Sequence, residues 1–379
     1  MKQKKVLLFA NTDWYLYNFR LALAKELRRK GNEVVLVSPP GPYGQRLIDE
    51  GFVWRPFNFS VRSMNPFREL GVIRQLIFLY RKEKPDLCHH FTIKCVLYGS
   101  IAAYFSGKTP VVNAATGLGH IFTDNGFKVR LLRPIVRMLY RSILSLNRQN
   151  MRVIFQNTED RALFIQAGMV PESLARVVRG SGVNCEQFHP DDDQHDGKPI
   201  RILFASRMLK EKGIRELIEA AAILKGKGVT AKFVIAGDAY PENPSSLTER
   251  EIERIKKTEN VAYMGHVDDM PALIGESDIV VLPSYREGTP KILIEAAAMG
   301  KPIVATDIAG CAELVRHNVN GFLVPVRDAQ ALSDALLTLI SDRALRESFG
   351  KRGREIVLNE FAEDIVISKT MEIYSELSF

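Results

Sequence analysis

Short apolar runs alternate with amphipathic stretches along almost the whole chain, and this alternation restricts it to α/β architectures built on parallel sheets. Residues 4–10 (KKVLLFA), 32–38 (NEVVLVS), 85–91 (PDLCHHF), 109–115 (TPVVNAA) and 151–157 (MRVIFQN) read as strands, with helices expected over 15–30, 66–82 and 93–106. The stretch 185–199 (CEQFHPDDDQHDGKP), rich in acids, Gly and Pro, breaks the pattern and reads as a linker. A second series follows at 201–206, 232–237, 261–265, 278–284, 301–306 and 321–325, and helices near 328–339, 342–359 and 362–376 end the chain. The expected fold is two doubly wound, Rossmann-like domains, 1–184 and 200–360, facing across a cleft. The C-terminal helix 361–379 is expected to pack back on the first. Ligands of such sheets bind beyond the carboxyl ends of the strands, which makes that cleft the expected site.

Charge divides the chain more sharply than composition does. Residues 1–190 hold 28 Lys/Arg against 13 Asp/Glu, a balance of +15, whereas residues 191–379 hold 24 against 31, a balance of −7. The basic half suits an anionic partner: a membrane surface, a phosphorylated substrate or nucleic acid. No nucleic-acid-binding module is recognisable, so nucleic acid is not expected. The apolar run Val6–Ala10 is too short for a signal-peptide core, and no uninterrupted apolar run reaches the roughly 18 residues of a spanning helix. Cys88, Cys95, Cys185 and Cys311 form neither a CxxC pair nor a zinc spacing, which fits a reducing cytoplasm. The common nucleotide fingerprints are missing too. GLGHIF at 117–122 lacks the third glycine, and no P-loop occurs.

Two stretches can carry chemistry. In PSYREGTPKILIEAAAMG (283–300) a strand end leads through Gly288 to Thr289, a possible N-cap, and Pro290, a possible first helical residue. Lys291 then falls in the first turn, where a cation is unfavourable beside the positive helix end unless an anion sits there. Helix N–H groups, dipole and lysine together suit a phosphate or diphosphate. Glu287 and Glu295, eight positions apart, can accept hydrogen bonds from sugar or ribose hydroxyls. The same residues also make an ordinary capped helix with one solvated glutamate, and residue chemistry leaves both open. In FASRMLKEKGIRELIEAA (204–221), Arg207 and Lys212 occupy the turn after a strand; a guanidinium fork and a point charge at equivalent strand ends suit a diphosphate.

SRMLKEKG, GH at 265–266 and EGTPKILIEA together resemble the retaining glycosyltransferases of family 4, which have the GT-B fold, and the resemblance runs through the second half. It implies that Arg207 and Lys212 bind the donor diphosphate, Glu295 the nucleotide ribose and Glu287 the hydroxyls of the transferred sugar. The backbone of Gly288, Thr289, Pro290 and Lys291 would cap phosphates, and Gly265, His266 and Val267 would line the base pocket. The wording of 285–315 is similar to the subgroup that builds lipid-linked bacterial oligosaccharides from UDP-sugars. The implied reaction retains the anomeric configuration, because the acceptor attacks from the face the leaving group vacates and a leaving phosphate oxygen takes its proton. No metal and no cofactor is expected; Asp191–Asp193 with His195 reads as solvated charge. Family members carry a histidine after the strand matching 111–115, where this chain has Ala114 and Ala115; His120 is the nearest candidate. Asp13, Asn18 and Arg20 are the polar candidates for the acceptor or phosphate side. One of His89 and His90 is expected to be buried and the other to line the cleft.

The segment 128–152 carries seven cations and no acid. At 100° per residue Arg130, Arg137, Arg141 and Arg148 share a narrow arc with Arg133 beside it. Leu132, Ile135, Leu139, Ile143 and Leu146 are expected to pack on the sheet, and Pro134 to mark the first turn. The outward arginines then suit anionic phospholipid and a polyprenyl-diphosphate-linked acceptor. The expected function is transfer of a hexose or N-acetylhexosamine from a UDP-sugar to such an acceptor, by a peripheral protein on the inner face of the cytoplasmic membrane. A soluble or phospholipid acceptor, or an inactive nucleotide-sugar-binding scaffold, are the alternatives.

Overall fold

The computed structural model describes residues 3–60, 65–115, 127–190, 199–241, 243–377 and 379, without side chains for 127–133. The chain forms two units, 1–181 with 367–379, and 182–366.

Seven parallel strands form the first sheet: β1 (Lys5–Phe9), β2 (Glu33–Ser38), β3 (Val53–Pro56), β4 (Leu87–Phe91), β5 (Val111–Ala115), β6 (Met151–Phe155) and β7 (Ala175–Val177), in the order β3-β2-β1-β4-β5-β6-β7. Its central strands read as unbroken apolar runs because helices cover both faces. Right-handed crossovers put the helices Pro66–Glu83, Ile93–Phe105 and Phe127–Leu146 side by side on one face. There Val72, Leu76, Tyr80, Val96, Tyr140 and Leu144 join Leu7, Phe9 and Val35 in one core. Asn65 caps the first of these helices by accepting hydrogen bonds from the Phe67 and Arg68 N–H groups, with Pro66 in its first turn.

Both His89 and His90 are buried, where one of them was expected to be exposed. His90 bridges Asn113 Oδ1 (2.8 Å) and the Tyr80 hydroxyl (3.1 Å), and burial pushes its pKa down to about 4. Gly99 makes room for it: a Cβ there would lie 2.5 Å from the imidazole.

The Phe127–Leu146 helix is turned differently from the sequence expectation. Tyr140 and Leu144 face the core with Val136, while Ile135, Leu139 and Leu146 are exposed. The rotation is fixed by Tyr140 packing edge-on against Phe164 and by Asn147 donating to Ser100 O at 2.7 Å. Ile143 is half-buried, and the side chain of Leu132 lies outside the described residues. Pro134 sits inside the helix rather than in its first turn. Arg137 and Arg141 are exposed; Arg148 lies past the helix end in a 3-10 turn, and the side chains of Arg130 and Arg133 are outside the described set.

The second unit holds β8 (Ile200–Ala205), β9 (Ala231–Ala236), β10 (Val261–Gly265), β11 (Ile279–Leu282), β12 (Ile303–Thr306) and β13 (Gly321–Val324), all parallel, in the order β10-β9-β8-β11-β12-β13. The order reverses between β8 and β11. The expected linker 185–199 falls within this unit: Val183 just before it bridges to Ala362, Phe188 is buried, and Arg354 donates to Phe188 O (2.6 Å) and Cys185 O (3.2 Å). Residues 191–198, including Asp191–Asp193 and His195, lie outside the described residues. The chain returns to the first unit within the Glu363–Ser375 helix, where Tyr374 meets His89 Nδ1 (2.6 Å); Glu376, just past its end, accepts from Arg152 (2.6 Å) and Arg176 (2.7 Å).

Candidate functional site

The reversal between β8 and β11 is the point where a doubly wound sheet opens to ligands. Two loops leave the carboxyl ends of these neighbouring strands. After β8 come Ser206 and Arg207, then a 3-10 turn Lys210–Lys212 that ends on Gly213 at φ 75° and opens the helix Ile214–Gly226. After β11 the chain runs 283–290 into the helix Lys291–Ala298.

The two loops are fastened to each other by backbone. Tyr285 N donates to Glu211 O at 2.8 Å, and Ser284 Oγ to the same oxygen at 3.2 Å. A Cβ on Gly213 would lie 2.0 Å from Pro283 O, so only glycine permits this approach. From the other side Gly310 supports the Glu287–Gly288 turn, where a Cβ would come within 2.4 Å of Glu287 O. Thr306 Oγ1 donates to Ser284 O, the Tyr285 hydroxyl donates to Glu216 Oε1 (2.7 Å), and the Arg327 guanidinium lies 4.6 Å from the Tyr285 ring centre.

On this frame Lys212 forms an ion pair with Glu287, both side chains largely buried. Lys291 Nζ lies 3.3 Å from Glu295 Oε1, one helical turn along. Glu295 is only 6% exposed; burial raises its pKa above the usual carboxylate value, and Lys291 pulls against that rise. Cys311 is buried close to Glu287, and burial pushes its thiol pKa up. Arg207 is exposed, its guanidinium 5.5 Å from the Tyr240 ring centre.

Thr289 does not cap the helix. The cap position falls on Pro290, whose extended backbone (φ −73°, ψ 117°) cannot start a helix, so the first helical residue is Lys291 and Leu293 N donates to Pro290 O at 3.1 Å. Gly265, His266 and Val267 leave the edge strand β10, two strands from β8. Gly265 O accepts from Gly237 N (2.6 Å), His266 is exposed beside Asp268 (3.2 Å) and Val267 is half-buried against the core.

In the first unit, two of the three acceptor-side candidates serve the framework. The Asp13 carboxylate accepts from Tyr43 N (2.7 Å), Gly44 N (2.8 Å) and Trp14 N (2.8 Å), which ties the start of the Asp13–Arg29 helix to the loop after β2. Arg20 is buried, its guanidinium 4.4 Å from the Phe91 ring centre and bonded to the Tyr15 hydroxyl (2.8 Å). Asn18 donates to Trp14 O at 2.9 Å. His120 lies outside the described residues. The bracing residues Gly213, Gly310, Ser284, Tyr285 and Glu211 were not found from sequence; the glycine directly after KEK at a helix start was the one available signal.

Two parallel, doubly wound units, one with paired lysines and carboxylates at its switch point, have the sheet architecture of the GT-B fold. The match to known proteins makes this specific. Residues 5–150 match the model "Glycosyl transferase 4-like" and residues 186–356 the model "Glycosyl transferases group 1". The chain belongs to this glycosyltransferase family. It is 31% identical, over 96% of each chain, to the N,N'-diacetylbacillosaminyl-diphospho-undecaprenol alpha-1,3-N-acetylgalactosaminyltransferase of Campylobacter jejuni. It is 26% identical to the UDP-Gal:alpha-D-GlcNAc-diphosphoundecaprenol alpha-1,3-galactosyltransferase of Escherichia coli, over 83% of this chain and 82% of that one. Its fold matches Anabaena Alr3699/HepE, solved with UDP and glucose, at a TM-score of 0.79 and 21% identity over 99% of this chain and 100% of that one.

Proposed function

We propose that the chain is a retaining glycosyltransferase that moves a hexose or N-acetylhexosamine from a UDP-sugar to a polyprenyl-diphosphate-linked saccharide in bacterial glycan assembly. It works without a metal or cofactor, as a peripheral protein on the inner face of the cytoplasmic membrane. The observation that carries the reading is the Lys212–Glu287 and Lys291–Glu295 pairing where the sheet opens between β8 and β11. Each lysine is already held by a carboxylate, and a diphosphate can take the carboxylate's place. Lys212 then turns from Glu287 to the leaving group, with Arg207 beside it, and Glu287 is released to accept hydrogen bonds from the sugar. Glu295 holds the ribose, the 288–291 backbone caps the phosphates, and 265–267 lines the base.

In the reaction the anomeric C–O bond to the diphosphate breaks, with its electron pair passing to UDP. The acceptor oxygen bonds to the anomeric carbon from the same face, and its proton goes to the departing phosphate oxygen. Arg207 and Lys212 stabilise the charge as it develops. The lipid-linked acceptor and UDP donor follow the Campylobacter and Escherichia relatives, whose names specify diphospho-undecaprenol acceptors and, for the second, UDP-Gal.

The test is UDP release from UDP-Glc, UDP-Gal, UDP-GlcNAc and UDP-GalNAc with polyprenyl-diphosphate-linked saccharides. One donor should give acceptor-dependent release that survives EDTA. Lys212→Met should lower kcat by about 10²–10³. No release from any donor and acceptor pair would overturn the reading.

A further inference from the structure

The helices Pro66–Glu83, Ile93–Phe105 and Phe127–Leu146 each bury one arc against the first sheet, so their outer arcs should be polar. They are not. Phe67 is 87% exposed and Phe78 70%, with Leu70 exposed between them. On the third helix Met138 is 62% exposed, flanked by exposed Ile135 and Leu139. Cations interrupt both rows. On the first helix Phe67, Leu70, Arg74, Phe78 and Arg81 fall on one face at the 3.6-residue period. On the third, Arg137 and Arg141 edge the apolar arc, and no acid occurs between Asp124 and Glu159. Arg81 donates to Phe105 O at 2.9 Å, tying the ends of the first two helices together.

We propose that this three-helix face lies on an anionic phospholipid surface, with its aromatic and aliphatic side chains in the headgroup–acyl boundary and its arginines on lipid phosphates. The inference rests on the lipid-linked-acceptor reading and goes beyond it, since it assigns attachment to apolar insertion on two helices as well as to charge. Charge selects this occupant over a second copy of the chain: a two-fold contact through the face would set arginine against arginine. No described helix is long and apolar enough to cross a membrane, so the helices lie on the surface.

Sedimentation of the full chain with vesicles tests it, comparing phosphatidylcholine alone with phosphatidylcholine carrying about a third phosphatidylglycerol. The chain should bind the anionic vesicles and be released by salt. Leu70→Ser with Phe78→Ser, and separately Met138→Ser with Leu139→Ser, should each weaken that binding about tenfold or more while UDP-sugar affinity is kept. The proposal falls if the parent chain ignores anionic vesicles or if both double variants bind as the parent does. It also falls if the variants act only by dissolving a dimer seen by light scattering. Vesicle binding that fails while detergent-solubilised acceptor is still glycosylated rejects this surface alone. Vesicle binding without turnover supports the surface and rejects the catalytic reading.

Discussion

Glu295 shows how much a single environment decides. Placed on the second turn of the Lys291–Ala298 helix and almost sealed from water, its carboxyl has a raised pKa because burial disfavours charge. Hydrogen bonds from ribose hydroxyls favour the charged form. Donor affinity should therefore be greatest above the raised pKa and fall as pH drops through it, at a higher pH than the roughly 4.3 of an exposed glutamate. Calorimetry with a UDP-sugar, whose diphosphate ester does not titrate in that range, should show this step, and Glu295→Gln should remove it. Glu295→Ala should weaken binding about tenfold or more; unchanged affinity would contradict the ribose role. That Arg207, Lys212 and Glu287 follow the ends of β8 and β11 was legible in the sequence, because the apolar runs before them mark the strands; their roles toward a ligand belong to the proposal. The contacts of Asp13 with Tyr43 N and Gly44 N, and of Arg20 with Tyr15, were not legible. A polar residue after β1 reads the same from sequence whether it meets a ligand or the backbone N–H groups of Tyr43 and Gly44.

Gly213 and Gly228 share a φ of 75° in different surroundings. A Cβ on Gly213 strikes Pro283 O at 2.0 Å, whereas Gly228 has nothing within 4 Å. Gly213→Ala should thus push the β8 and β11 loops apart and weaken UDP-sugar binding about tenfold or more, while Gly228→Ala keeps it and loses only about 1 kcal/mol of stability. Equal donor affinity in the two variants would show that the loops do not need this contact. The elements themselves were legible to different degrees. Core strands announced themselves as apolar runs, whereas β3, VWRP at the sheet edge, and the three-residue β7 carry too few apolar residues to stand out. The Phe127–Leu146 helix has two apolar arcs, and periodicity cannot tell which one the sheet takes; Tyr140 and Asn147 decide it.

Two nucleotide-fold units were visible in the sequence as two series of strands, and the family match agrees with that organisation. The expected end of the first unit, 184, lies close to the observed 181, but the linker after it belongs to the second unit. The acid- and proline-rich composition of 185–199 hides the fact that Val183 pairs with Ala362 and that Phe188 enters the second core. The charge asymmetry gives the first unit its basic character, and the proposed membrane face takes up Arg74, Arg81, Arg137 and Arg141 of it. Paired lysines and carboxylates at the β8–β11 switch point give the second unit its proposed grip on a nucleotide sugar. The proposed reaction is transfer with retention to a lipid-linked saccharide. Proton NMR of the purified product, formed from a UDP-α-sugar and a polyprenyl-diphosphate-linked acceptor, tests it most directly. A new α-linked anomeric signal is the predicted result; a β-linked product, or donor hydrolysed without transfer, would contradict it.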